Sequence, residues 1–217
     1  EEPPRHGKSL LVSHAFPVWY LNRWPSKRII LATHTADFSA HWGRLCRNTI
    51  ESNPDRLDVH VAPDSSAANR WDTTAGGGMY CVGVGGTPVG RGGDLVIVDD
   101  PVANSEAAMS EVQREAMWEW WTQSLLTRLE PGAILIVMHQ RWHEDDLAGR
   151  ILSRSGQKWD RVRFPAIAER NDPLGRAEGE ALWPERYDVA ALESVRREIG
   201  SRSFSALYQQ SPAPADG

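Results

Sequence analysis

Cysteine is scarce: Cys46 and Cys81 are the only two in 217 residues. No disulfide framework, zinc ribbon or paired-cysteine redox motif can be assembled from them, and a reducing cytoplasm is the compartment expected. Long hydrophobic runs are missing as well. No stretch reaches the roughly 18 apolar residues that a membrane helix needs, and Glu1 to Ser9 lack the basic-then-apolar order of a secretory signal. Positive charge has no surplus: 24 Lys+Arg stand against 29 Asp+Glu, a formal net charge of -5. That argues against a protein whose main business is coating nucleic acid, while leaving room for a local basic surface. Phe and Tyr number only four each beside ten Trp; the tryptophans are scattered and read as core or interface aromatics. What remains, 41% hydrophobic and 24% charged residues, describes a globular chain of one domain or one domain with a small appendage.

Short apolar runs alternate with longer helical stretches, which predicts an α/β fold with a largely parallel sheet. Arg28 to Thr33, Leu95 to Asp99 and Ala133 to Met138 are continuous apolar runs of the kind that strands buried on both faces require. Between them, Ala36 to Ser52 and about Ser105 to Leu129 read as helices, the second with Met117, Trp121, Leu125 and Leu129 as an apolar stripe and Pro131-Gly132 as its stop. Met79 to Val84 reads as a hairpin or a strand feeding the glycine-rich loop Gly85 to Gly93. Beyond Arg154 the prolines of Phe164-Pro165, Asp172-Pro173 and Trp183-Pro184 mark an irregular segment. Two short helices, about Val189 to Ile199 and Phe204 to Gln210, close the chain as a lid or linker subdomain. The domain boundary expected is therefore 1–154 and 155–217.

Pro3 to Ser9 reads PPRHGKS. A phosphate-binding loop needs inward backbone N–H groups, a Lys that reaches the β and γ phosphates and a hydroxyl for Mg²⁺, all at a helix N-terminus. Gly7, Lys8 and Ser9 supply its last three positions, although Glu2 stands where the strict pattern has its first glycine. A partner carboxylate at the end of a buried strand is the second requirement, and Leu95 to Asp100 provides one. Asp99 fits the metal-side acid and Asp100 the acid that polarises the attacking water; a pair of turn or capping acids before Pro101 is the plainer reading.

The strand Ala133 to Met138 runs into His139 and Gln140, candidate γ-phosphate sensors, because ligands of open α/β sheets sit at the carboxyl edge. His143-Glu144-Asp145-Asp146 lacks the second histidine of a zinc motif and reads instead as an acidic first helical turn. Arg5, inside the loop, and Arg91, in the glycine-rich segment, are candidates to stabilise charge on a transferred phosphoryl group.

Five blocks in this order resemble the ATPase part of the large terminase subunit, the DNA-packaging motor protein of tailed bacteriophages. PPRHGKS resembles that family's deviant phosphate loop; GRGGDLVIVDDP, Gly90 to Pro101, its acidic strand with the preceding arginine; HQRWHEDDLAGRIL, His139 to Leu152, its coupling motif. LWPERY, Leu182 to Tyr187, and FSALYQQSP, Phe204 to Pro212, resemble the segment leading toward the nuclease. The resemblance implies a RecA-like P-loop ATPase fold with a mostly parallel central sheet and a small C-terminal linker subdomain. It implies ATP and Mg²⁺ as cofactors, with Pro4, Arg5, His6, Gly7, Lys8 and Ser9 cradling phosphate, Ser9 and Asp99 on the metal, Asp100 as catalytic acid, and His139 or Gln140 in the coupling position. Arg5 would be the loop arginine and Arg91 an arginine finger acting in trans. Asp100 departs from the Glu of many relatives.

Family members carry an adenine-contacting segment and a strand ahead of the loop, and a two-metal nuclease behind; here only Glu1 and Glu2 precede Pro3, and no nuclease triad is visible. The expectation is an open sheet edge and no DNA cleavage by this chain alone. The leading reading is a motor module that couples Mg-ATP hydrolysis to duplex DNA translocation in the host bacterial cytoplasm. Its implied partners are double-stranded DNA, sister subunits in a ring, the portal protein and a small terminase subunit. The alternatives are a truncated, non-hydrolysing interaction fragment, or another P-loop nucleic-acid translocase such as a helicase.

Overall fold

A computed structural model describes residues 1–86, 90 and 92–213. Its centre is one sheet of six strands, β1 (Arg28–Thr33), β2 (Val61–Ser66), β3 (Arg70–Thr73), β4 (Gly78–Gly83), β5 (Gly93–Asp99) and β6 (Leu129–Met138), in the order β2-β3-β4-β1-β5-β6. Strands β4, β1, β5 and β6 run parallel, and β2 and β3 join antiparallel beyond β4. This is the mostly parallel α/β sheet expected. The reason lies in β1 and β5: Ile29 to Ala32 and Leu95 to Val98 are all at most 1% exposed, and only uninterrupted apolar sequence satisfies a strand covered on both faces.

Helix α2 (Ala36–Glu51) starts at Thr35, whose hydroxyl accepts from the Phe38 N–H, and buries Ser39, Gly43, Cys46 and Ile50 along one face. Gly43 permits close approach: a Cβ there would lie 2.5 Å from Sγ of Cys81 and 2.6 Å from the Ala68 carbonyl. The Gly43 carbonyl accepts from the buried Trp71 indole at 2.9 Å. Cys46 and Cys81 are both free and buried, and burial pushes the Cys46 thiol up to about 12, so neither is a reactive thiolate near neutral pH.

Several elements differ from expectation. Strands β2 and β3 carry no signal in the sequence, because VAPDSS and RWDT contain no apolar run and are partly exposed. The helix expected over Ser105 to Leu129 is broken. Asn104 caps α3 (Ser105–Met109), Ser110 turns extended, and α4 (Glu111–Glu119) continues through a π-helical turn, Trp120–Leu125, and a 3₁₀ turn, Leu126–Arg128. Pro131-Gly132 does not stop it; both residues lie within β6, where the register against β5 shifts, an irregularity that accommodates a missing N–H and a glycine at φ +79°. The sheet ends at β6, whose Ile134 is 46% exposed.

Packing divides the chain into two compact units that are not continuous in sequence. The sheet unit comprises Ser9–Ala103 and Glu115–Met138. The C-terminal unit comprises Glu1–Lys8, Asn104–Arg114 and the described residues from His139 onward, with α5 (Leu147–Arg154), α6 (Val189–Ile199) and α7 (Ser201–Leu207). Residues 139–154 thus pack with the segment that follows them. The last helix lies three residues earlier at each end than the expected Phe204 to Gln210.

Candidate functional site

In the sheet unit the carboxyl ends of three parallel strands lie side by side, with Thr33 paired to Asp99 and Asp99 to Met138. Asp99, fully buried, ends β5. Ninety residues upstream in the chain, Ser9 donates from Oγ to Asp99 Oδ1 at 3.2 Å, and Ser13 donates to Oδ2 at 2.6 Å. The backbone is helical from Lys8 onward, first as a π-helical stretch Leu10–Ala15 and then as α1 (Phe16–Arg23). The first turn of this helix therefore abuts the acid that ends β5. A π-helical segment frequently marks a functional position. Asp100 follows in the left-handed region, φ +42°, with its N–H donating to the Met138 carbonyl at 3.0 Å. Strained backbone of this kind clusters at functional sites.

Of the predicted residues, then, Ser9 and Asp99 meet, Asp100 is the next residue along, and Lys8 is bonded covalently to Ser9. Ser13 is missed by the sequence reading, although its position four residues after Ser9 places both hydroxyls on one helical face. Arg91 lies outside the described residues. Among the described residues no group of three or more His, Cys, Asp or Glu side chains is arranged to hold a metal. The Ser9 and Asp99 oxygens, 3.2 Å apart, nevertheless fit Mg²⁺, whose neighbouring octahedral ligands at 2.0–2.1 Å stand about 2.9 Å from each other and which takes most of its ligands from water and phosphate.

The C-terminal unit holds the rest of the predicted set. Pro4 and Arg5 form the turn before the helix, Arg5 exposed and at φ +64°, and Gly7 sits at φ +96°. His6 and Lys8 are buried, each 7% exposed. The His6 ring stacks on Tyr187 with centroids 5.2 Å apart, its Nδ1 lies 2.8 Å from the Pro4 carbonyl, and desolvation holds its pKa below the ordinary value. His139 is buried with Nε2 3.8 Å from Asp146 Oδ2, and Gln140 is half-buried.

Next to them stands Arg141, which the sequence does not single out. It donates to Asp146 at 2.9 Å and to Glu1 at 3.1 Å, and its backbone N–H donates to Gln210. Burial pushes the Asp146 carboxyl up, but the pull of His139 and Arg141 and the hydrogen bonds from Arg141 and Gly149 hold it below its usual range. The run His143 to Asp146 is not an acidic first turn: Asp146 is the N-cap of α5, accepting from the Gly149 N–H at 2.9 Å, and no acid lies within the turn itself. Asp145 is engaged by Arg114, Arg150 and Arg154.

The N-terminal part of the terminase large subunit, T4likevirus-type, is the family whose pattern matches residues 1–200. The chain belongs to the terminase large subunit family. No curated protein sequence matches it. Solved structures do: the large terminase of bacteriophage HK97 (TM-score 0.61, 14% identity, 98% of this chain and 46% of that one) and the large terminase ATPase domain of Thermus phage P74-26 (TM-score 0.59, 15% identity, 97% and 86%). The large terminase of another thermophilic bacteriophage is similar at TM-score 0.51 and 14% identity, over 95% of this chain and 47% of that one. At these identities the likeness establishes the RecA-like fold. This terminase chain spans about half the length of the HK97 protein and of the last of the three.

Proposed function

We propose that the chain is the ATP-hydrolysing module of a genome-packaging terminase, coupling cleavage of Mg-ATP to movement of duplex DNA into a procapsid. The observation that carries this reading is the hydrogen bond from Ser9 at a helix start to Asp99 at the end of β5, the juxtaposition a nucleoside triphosphate with its divalent ion requires. The turn that begins at Pro4 cradles the β and γ phosphates through the backbone N–H groups of Arg5 to Ser9 and the Lys8 ammonium. Ser9 and Asp99 hold Mg²⁺, which when bound screens the phosphate oxygens and the charge that develops on them. Ser13 orients Asp99 by donating to its second oxygen.

Asp100 polarises a water that attacks the γ phosphorus in line while the bond to the bridging oxygen breaks. His139 and Gln140, which directly follow β6, read the γ phosphate. Arg5, and Arg91 from a sister subunit in the ring, stabilise charge on the transferred group. Phosphate contacts with DNA make translocation tolerant of sequence; the portal protein and a small terminase subunit complete the assembly in the host cytoplasm. Among the described residues no helix is long and apolar enough to cross a membrane.

The test is Lys8→Ala. Mg²⁺-dependent phosphate release falls by about a hundredfold or more, with the folded state intact by circular dichroism. Unchanged hydrolysis removes the site assignment.

A further inference from the structure

The LWPERY segment has no part in the hydrolytic scheme, yet it sits against the phosphate loop. Trp183 to Tyr187 is a tight turn in which the Arg186 and Tyr187 N–H groups both donate to the Trp183 carbonyl, at 3.0 and 2.8 Å. The turn fixes three side chains around one point. The Arg186 guanidinium lies 5.3 Å from the Trp183 ring centroid and 5.8 Å from that of Tyr187, and Tyr187 stacks on His6 of the loop. A Cβ on Gly7 would lie 4.0 Å from Cζ3 of Trp183, so the indole flanks the loop one residue before Lys8.

Two features of this corner stand beside the loop. Trp183 is 38% exposed. His6 is only 7% exposed, and with Nδ1 on the Pro4 carbonyl its Nε2 is enclosed without any hydrogen-bond partner among the described residues. A buried nitrogen left unsatisfied calls for an explanation, and a ligand group is one. An exposed indole with a guanidinium over its ring is a cation–π pair, a planar and positively charged surface on which flat heteroaromatic rings stack.

We propose that Trp183 and Arg186 form the platform for the nucleobase of the bound nucleotide. The proposal rests on the reading of Pro3 to Ser9 as a phosphate loop and extends it to the base. Stacking is tolerant of base identity, so the platform adds affinity for a nucleoside triphosphate over bare triphosphate without selecting strongly among purines.

The experiment compares the dissociation constants of Mg-ATP and of Mg-tripolyphosphate, which has no base, on the full chain. Trp183→Ala weakens ATP about tenfold and leaves tripolyphosphate unchanged, whereas Trp183→Phe retains most of the ATP affinity. Arg186→Gln, at an exposed position, gives an ATP-specific loss of about threefold and serves should Trp183→Ala not fold. An equal effect on both ligands, or none on either, overturns the platform while leaving the phosphate loop in place. Wild-type protein that binds neither ligand overturns both readings, and Lys8→Ala, which weakens both ligands together, separates the phosphate contribution from that of the base.

Discussion

Each of the two units is held together internally by different physics. In the sheet unit a contiguous apolar cluster runs through Leu21, Ile29, Leu31, Ile50, Trp71, Leu95 and Ile97, each at most 2% exposed. In the C-terminal unit one apolar cluster gathers Ala166, Ala181, Leu192 and Phe204 with their half-buried neighbours. Arginine forks stand beside it: Arg141 on Asp146 and Glu1, Arg150 on Asp145, and Arg176 on Asp172 at 2.6 Å. Apolar burial is non-directional and rewards any close fit, whereas guanidinium–carboxylate pairs fix orientation and respond to protons and salt. The sheet unit thus supplies a rigid rim for Asp99, and the loop-bearing unit is the one whose internal geometry solution conditions can alter.

The comparison is broken most forcefully at Arg141. Its side chain and that of Asp146 are 6% and 1% exposed, and removing one member of such a pair leaves a buried charge uncompensated. Arg141→Ala should cost about 3–5 kcal/mol in urea unfolding, and much of that should be recovered by adding Asp146→Asn, since the double variant removes the buried Asp146 charge while Glu1 keeps its pair with Arg161. A double variant as unstable as the single one would mean that Arg141 acts through Glu1 and Gln210 instead. In the sheet unit the matching lesion is Gly43→Ala, where the new methyl meets Cys81 and the Ala68 carbonyl. That overpacking should cost about 1–3 kcal/mol. Its cost should be the same in low and high salt, because no charge is involved.

The same contrast explains what the sequence disclosed. Strands β1 and β5 were legible because burial on both faces demands an unbroken apolar run, and α2 because its buried positions keep helical spacing. Strands β2 and β3 were not, since Pro63, Asp64 and Ser65 sit in a partly exposed edge that needs no such run. The Pro131-Gly132 pair misled because a strand with a register shift tolerates both residues. That Ser9 and Asp99 meet was legible from residue type and order, while Ser13 needed the helix to be placed first. Arg141 and the Trp183 turn were illegible for a general reason: their role comes from partners distant in the chain, 140 residues for Arg141 and Glu1 and 181 for Tyr187 and His6, and such single contacts leave no periodic trace.

The smallest effect sharpens the comparison by acid. Asp146 titrates below its ordinary value of 3.8 in the folded state, so the folded chain binds fewer protons there than the unfolded chain does. The stability it contributes is complete above about pH 4 and drains away as pH falls through the folded value. Acid unfolding followed by tryptophan fluorescence should therefore show a shallower limb below pH 4 in Asp146→Asn than in the wild-type chain. Gly43→Ala should lower stability at every pH without changing that slope, because the groups it disturbs do not titrate in this range. An unaltered acid limb in Asp146→Asn would shift the proton sensitivity to the other arginine-bound acids, Asp145 and Asp172, whose carboxyls are also held low by their guanidinium partners.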